Sequence, residues 1–197
     1  MALAKLKKPI RIGLRVFVFL LLLSNLVAFF HAYKFTHFSV SAEAKTASPE
    51  QLSKVAKLKT LLFGVSNPRP TNNPMPLGYK SIILQSNKKI ECWESVPDSS
   101  LSKGTVIIFH GYSGHKSSML DKAEAFKSLG YAVLLVDFMG SGGSEGNQTT
   151  LGVEEAEQVM TAFNYIKNKN NTPILLFGTS MGAVAIMKSI NDFDILP

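Results

Sequence analysis

The sequence predicts an α/β fold: a mostly parallel sheet with helices on both faces, preceded by an N-terminal transmembrane helix. Three observations predict it. Thr105–Phe109, Tyr131–Val136 and Ile174–Phe177 are short, almost continuous runs rich in Val, Ile and Leu. Strands buried on both faces have this composition, and such burial goes with a parallel sheet covered by helices. Segments of helical spacing alternate with the three runs, which gives a βαβαβα order. Ahead of them stands an apolar stretch from Val16 to Tyr33, broken by little more than Ser24 and Asn25, behind a basic start.

The first element is that apolar stretch. At 1.5 Å per residue, Val16–Tyr33 spans about 27 Å as a helix, close to the hydrocarbon thickness of a bilayer. A small-x-small cleavage site is missing just beyond it, because Phe29, Phe30, His31 and Tyr33 occupy that place; Val40-Ser41-Ala42 has suitable chemistry but lies further downstream. Residues 1–33 are therefore read as a basic leader and membrane anchor, single-pass, with the N-terminus cytoplasmic and the domain outside. The alternative is a cleaved signal and a secreted domain. The leader also accounts for most of the charge. Of a net +7 over 197 residues, Lys5, Lys7, Lys8, Arg11 and Arg15 supply five, and the rest of the chain carries 16 basic against 14 acidic residues. A nucleic-acid-binding protein carries its basic excess as a patch on the folded domain, so no nucleic-acid partner is expected.

Residues 34–76 read as a tether, an amphipathic helix and a Pro-rich crossing. Ser48-Pro49-Glu50 has the chemistry of a helix start. Leu52, Val55, Leu58 and Leu62 follow as one apolar stripe, closed by Gly64. Pro68, Pro70, Pro74 and Pro76 then predict an extended segment. Residues 77–197 are the domain proper. Ser81–Leu84 and Lys89–Trp93 read as two strands around a turn at Asn87, at the sheet edge. Leu120, Ala123, Phe126 and Leu129 form one helical stripe, and Val153, Ala156, Val159, Phe163 and Ile166 another. Glu154, Glu155 and Glu157 precede the second stripe's core and Lys167 and Lys169 follow it, matching the helix dipole. Hydrophobic residues make up 46% of the chain, which supplies a core and excludes wholesale disorder. Cys92, the single cysteine, excludes a disulfide framework or a Cys-rich zinc module. No cofactor and no metal is expected.

Three glycine-rich loops follow three strands, and one carries the chemistry. Gly178-Thr179-Ser180-Met181-Gly182 lies between the run Ile174–Phe177 and an apolar helical stretch, Ala183–Ile190. This is the setting of a nucleophile elbow, in which small residues two positions either side let the backbone turn sharply and lift the serine out of the sheet edge. Ser180 is the predicted nucleophile, and the Met181 N–H a predicted oxyanion donor. His110-Gly111-Tyr112-Ser113-Gly114 follows Thr105–Phe109, where the second donor of an esterase-like site is found, and the Tyr112 backbone N–H takes that role. His110 reads as a structural, hydrogen-bonded histidine. Lys116-Ser117 has the ending of a phosphate-binding loop, but His110 and His115 stand where that loop requires glycines. The third loop, Asp137 to Gly146, fails as a dinucleotide fingerprint because Glu145 stands where its last glycine belongs.

Together these loops resemble the α/β-hydrolase superfamily, especially its serine-aminopeptidase-like and membrane-anchored lipase-like branches, over roughly residues 77–197. The third loop is similar to that superfamily's Asp-x-Arg-Gly-x-Gly-x-Ser: Asp137, Gly140, Gly142 and Ser144 match, and Met139 replaces the arginine. The resemblance implies a partial α/β-hydrolase fold with a structural third loop. It also implies a serine hydrolase acting on a small-molecule, lipid or peptide acyl substrate (an ester, thioester or amide). Such enzymes take their acid and histidine after the serine. Beyond Ser180 this sequence holds Asp192 and Asp194 but no histidine, and His31, His37, His110 and His115 all precede it. The expectation is a chain truncated at its C-terminal side, lacking the catalytic acid and histidine. The alternative is a catalytically inactive, membrane-tethered binding or scaffolding protein with a hydrolase-like fold.

Overall fold

The computed structural model describes residues 7–40, 45–95, 102–169, 171–193 and 195. Lys5, the Ser41-Ala42 part of the alternative cleavage site and Asp194 lie outside them. Contacts gather the described chain into two units: residues 7–35 with 45–67, and residues 36–40 with 68–195.

The first unit holds two helices. Helix α1 runs Lys8–Thr36, 29 residues without one buried side chain. It is the one helix among the described residues long and apolar enough to cross a membrane. Helix α2 runs Lys54–Phe63 and ends at Gly64. It starts later than the sequence suggests. Pro49–Gln51 forms only a 3-10 turn, Leu52 is extended, and the cap is Ser53, whose hydroxyl accepts the Ala56 N–H. Two competent caps lie five residues apart, and the extended Leu52 hands the helix to the second.

The second unit is a five-stranded sheet with helices on both faces. The strands are β1 (Tyr79–Gln85), β2 (Lys89–Ser95), β3 (Thr105–Phe109), β4 (Ala132–Val136) and β5 (Ile174–Gly178), in the order β1-β2-β4-β3-β5. The pairs β4–β3 and β3–β5 are parallel, while β1 and β2 join as an antiparallel hairpin at one edge. The sheet is therefore mixed around a parallel centre. Helices α3 (Leu120–Ser128), α4 (Glu155–Lys169) and α5 (Met181–Phe193) complete the unit.

Alternation along the strands divides the core. On β3, Ile107 and Phe109 point to a layer with Val159, Ala162, Phe163 and Ile166 of α4 and Met181 and Ala185 of α5. Val106 and Ile108 point the other way, to Met119, Ala123 and Trp93. Both faces are thus covered, which is why the central strands carry no polar alternation. Two stripe residues are exceptions: Leu129 and Val153 are exposed, each just outside its helix.

Candidate active site

Strand β5 delivers the chain to Thr179-Ser180 and α5 starts at Met181. Ser180 has φ of 50°, a left-handed conformation that a non-glycine residue adopts only when its surroundings impose it. The imposing contacts are short. Thr179 N–H donates to Phe109 O at the end of β3 (3.2 Å), and Gly182 N–H closes back on Thr179 O (2.9 Å). Gly182 is pressed against β3, since a Cβ there would lie 2.7 Å from Phe109 O and 2.9 Å from His110 O. The result is an exposed serine at the mouth of a helix. Met181 is the first residue of α5, so its N–H has no acceptor within the helix. Its side chain is buried against the Thr149 hydroxyl.

The loop after β3 meets this turn directly. A Cβ on Gly111 would lie 3.5 Å from that of Ser180, so the structure brings Ser180 and Gly111 together, with Met181 and Tyr112 their neighbours in the chain. His110 is wholly buried behind it. Its Nε2 accepts the Phe138 N–H (3.1 Å), which leaves Nδ1 to donate to Gly111 O (2.8 Å). Burial lowers its pKa below the ordinary histidine value, against the opposing influence of the Gly111 carbonyl. It is a neutral structural residue that joins the loops after β3 and β4.

Tyr112 carries a neighbour that sequence reasoning missed. Residues 36–40 form a short strap on the second unit. Phe38 is 2% exposed, and its ring centroid lies 5.8 Å from that of Tyr112. The Phe38 N–H donates to Asn147 O (2.7 Å), His37 bridges to Gln148, Ser39 bridges to Pro68, and Thr36 O accepts the Thr149 N–H. A lone phenylalanine in a polar tether gives no sequence signal for this.

Beneath the site, Lys116 is wholly buried. Its ammonium donates to Asp137 (2.5 Å) and Glu91 (2.8 Å) and sits 4.6 Å from the Trp93 ring centre. Asp137 further accepts the N–H groups of Lys116 (2.6 Å) and Gly143 (3.0 Å) and the Asn72 amide (2.7 Å). Burial pushes the Asp137 carboxyl up, but the Lys116 charge and these hydrogen bonds outweigh it and hold the group below the usual carboxylate range. With its ammonium enclosed in this network, Lys116 cannot reach a phosphate, which removes the phosphate-loop reading. The third loop is tied down by the same carboxylate.

Comparison with known proteins agrees with this fold. Residues 100–193 match the family model described as serine aminopeptidase, S33. The Pyrococcus furiosus esterase Pf2001 superposes with a TM-score of 0.58 at 27% identity, covering 64% of this chain and 53% of that one. The chain belongs to the α/β-hydrolase superfamily. An α/β serine hydrolase without a lid from Xanthomonas campestris shares the fold at 21% identity, with a TM-score of 0.52. Among curated relatives, the caffeoylshikimate esterase of Arabidopsis thaliana is 32% identical over 114 residues, 55% of this chain and 34% of that protein. An uncharacterised Mycobacterium tuberculosis protein is 26% identical over 130 residues, 46% of its length. The chain thus spans between a third and a half of the curated relatives it matches first.

For an α/β hydrolase, the placement of the histidines decides what the site can do. His110 has both ring nitrogens bound to backbone. His115 lies three residues past Tyr112, with Nδ1 2.7 Å from the Ser117 hydroxyl. His31 belongs to the first unit, where Nε2 contacts Leu61 O (2.9 Å), and His37 lies in the strap beside Thr36. Asp192 is on the far end of α5, held below its usual range by Lys188, one turn away. Among the described residues, no group of His, Cys, Asp and Glu is arranged to hold a metal ion.

Proposed function

We propose that this chain carries the nucleophile and oxyanion-binding half of a membrane-anchored serine hydrolase acting on an ester, thioester or amide. Ser180 attacks the acyl carbon, and the backbone N–H groups of Met181 and Tyr112 receive the developing oxyanion. The observation that carries this is Ser180 itself: exposed, left-handed, at the mouth of a helix and against Gly111. The acid and the histidine that would activate it lie outside the 197 residues in this reading, because His110 has no free nitrogen and no histidine follows the serine.

The strap favours an uncleaved anchor over a cleaved signal. Cleavage near residue 42 would remove Phe38, a fully buried side chain, together with its bonds to residue 147. Helix α1 is then a permanent span, with the domain on the side away from the basic leader.

A fluorophosphonate probe tests the chemistry. Without a positioned base, a serine retains only the residual rate that the oxyanion donors give, several orders of magnitude down. The 197-residue chain in detergent is expected to label slowly at Ser180. Added imidazole should accelerate it, and Ser180→Ala should abolish it. Fast labelling without imidazole would place the base inside this chain. Absence of labelling with imidazole would favour the inactive binding or scaffolding protein.

A further inference from the structure

Helix α2 has ten residues and buries none of them. Val55 is 79% exposed, Leu61 67% and Leu58 56%. At 3.6 residues per turn, Leu58, Leu62 and Val55 fall within about 60° of one another, with Leu61 extending the sector on one side. Lys57 and Lys59 border that sector on its two sides and Lys54 lies within it, and the helix has no acidic residue. So short a helix is marginal in water unless an apolar face is buried, and this face stands exposed at Val55, Leu58 and Leu61.

What lies beside α2 identifies what covers it. Within its unit, α2 is attached to the C-terminal part of α1. The rings of Phe30 and Phe63 lie 5.3 Å apart, His31 Nε2 contacts Leu61 O (2.9 Å), and Lys34 donates to Ser66 (2.9 Å). The same part of α1 carries Phe29 and Tyr33, stacked on each other, the aromatic composition of a membrane–water boundary. On the anchor reading, Phe30 lies about 5 Å along the helix axis below Tyr33. That is the depth at which interfacial helices settle, between headgroups and acyl chains.

We propose that α2 is an interfacial membrane helix. Val55, Leu58 and Leu62 enter the upper acyl region of a phospholipid bilayer, and Lys54, Lys57 and Lys59 reach the phosphates with their stems along the apolar stripe. The contact continues the one made by α1 and rests on the reading of α1 as a span.

The test uses the full chain in phosphatidylcholine–phosphatidylglycerol nanodiscs, with single cysteines carrying an environment-sensitive fluorophore. Native Cys92 is buried and its thiol is pushed up by burial, so labelling goes to the introduced site. Positions Val55 and Leu58 report on α2, Phe19 on α1, and Lys122, half-exposed on the second unit, on water. Lipids spin-labelled high on the acyl chain are then added. The expected result is blue-shifted emission from Val55→Cys and Leu58→Cys that is largely quenched, with Lys122→Cys unaffected. Water-like, unquenched emission at Val55 and Leu58, with Phe19→Cys showing lipid-buried emission, would overturn the proposal and leave the anchor intact. Water-like emission at Phe19 would overturn the anchor reading, and this proposal with it.

Discussion

Asp137 ties the loops around the site together, taking an ammonium, an amide and two backbone N–H groups. Removing one partner of a buried ion pair leaves a charge uncompensated, at a cost of about 3–5 kcal/mol. Asp137→Asn is expected near the lower end, because Glu91 still reaches Lys116. The loss is read from the thermal melt of the chain in detergent. The pH dependence has a definite sign. The folded carboxyl titrates below its usual value near 3.8, so its contribution is complete above that pH and is lost as pH falls through the lower folded value. The wild-type melt should fall steeply in that acid window, and Asp137→Asn should flatten the fall. At this scale the sequence was legible where a motif imposes a turn. Ser180, Gly111 and Asp137 could be placed in their loops from spacing, whereas the burial of Lys116 could not. A lysine before a serine has the same letters in a solvated loop, a phosphate site or a closed ion pair, and only the fold brings Glu91 and Trp93 over it.

The elbow depends on two elements approaching until only glycine fits. Gly182 lies against backbone oxygens of β3's end, which cannot move aside as a flexible side chain could. Gly182→Ala is expected to cost about 1–3 kcal/mol through overpacking. It should also slow fluorophosphonate labelling of Ser180 by more than the loss of folded protein accounts for, since the added methyl displaces the turn. Measuring the melt and the labelling of that variant together checks both statements. Central strands were readable to within a residue or two, because burial on both faces leaves an apolar run bounded by polar residues. The start of α2 was not readable, because Ser48 and Ser53 are equivalent caps by composition and the extended Leu52 between them decides.

Across the whole molecule, the anchor reading has a simple consequence for extraction. Burial of the apolar span is hydrophobic and not electrostatic, so the expressed chain should stay in the membrane pellet through a high-salt wash and leave it only with detergent. A soluble product beginning just after residue 42 would contradict this. The tether was the least legible part of the chain. Its composition is that of a linker, yet residues 36–40 are built into the second unit through backbone bonds that use no particular side chain apart from Phe38.

The strap also sets where this protein can be divided into exchangeable parts. On the anchor reading the span is generic, an apolar helix whose sequence matters little beyond length and flanking charge, and by that logic any foreign membrane helix could replace it. The graft must nevertheless join before Thr36. A junction placed after Val40, inside the segment whose composition reads as a linker, would carry Phe38 away with the discarded helix and strip the cover from the Tyr112 ring. The five residues that look most dispensable therefore belong to the inheritance of the domain, and a transplanted domain would have to take them along.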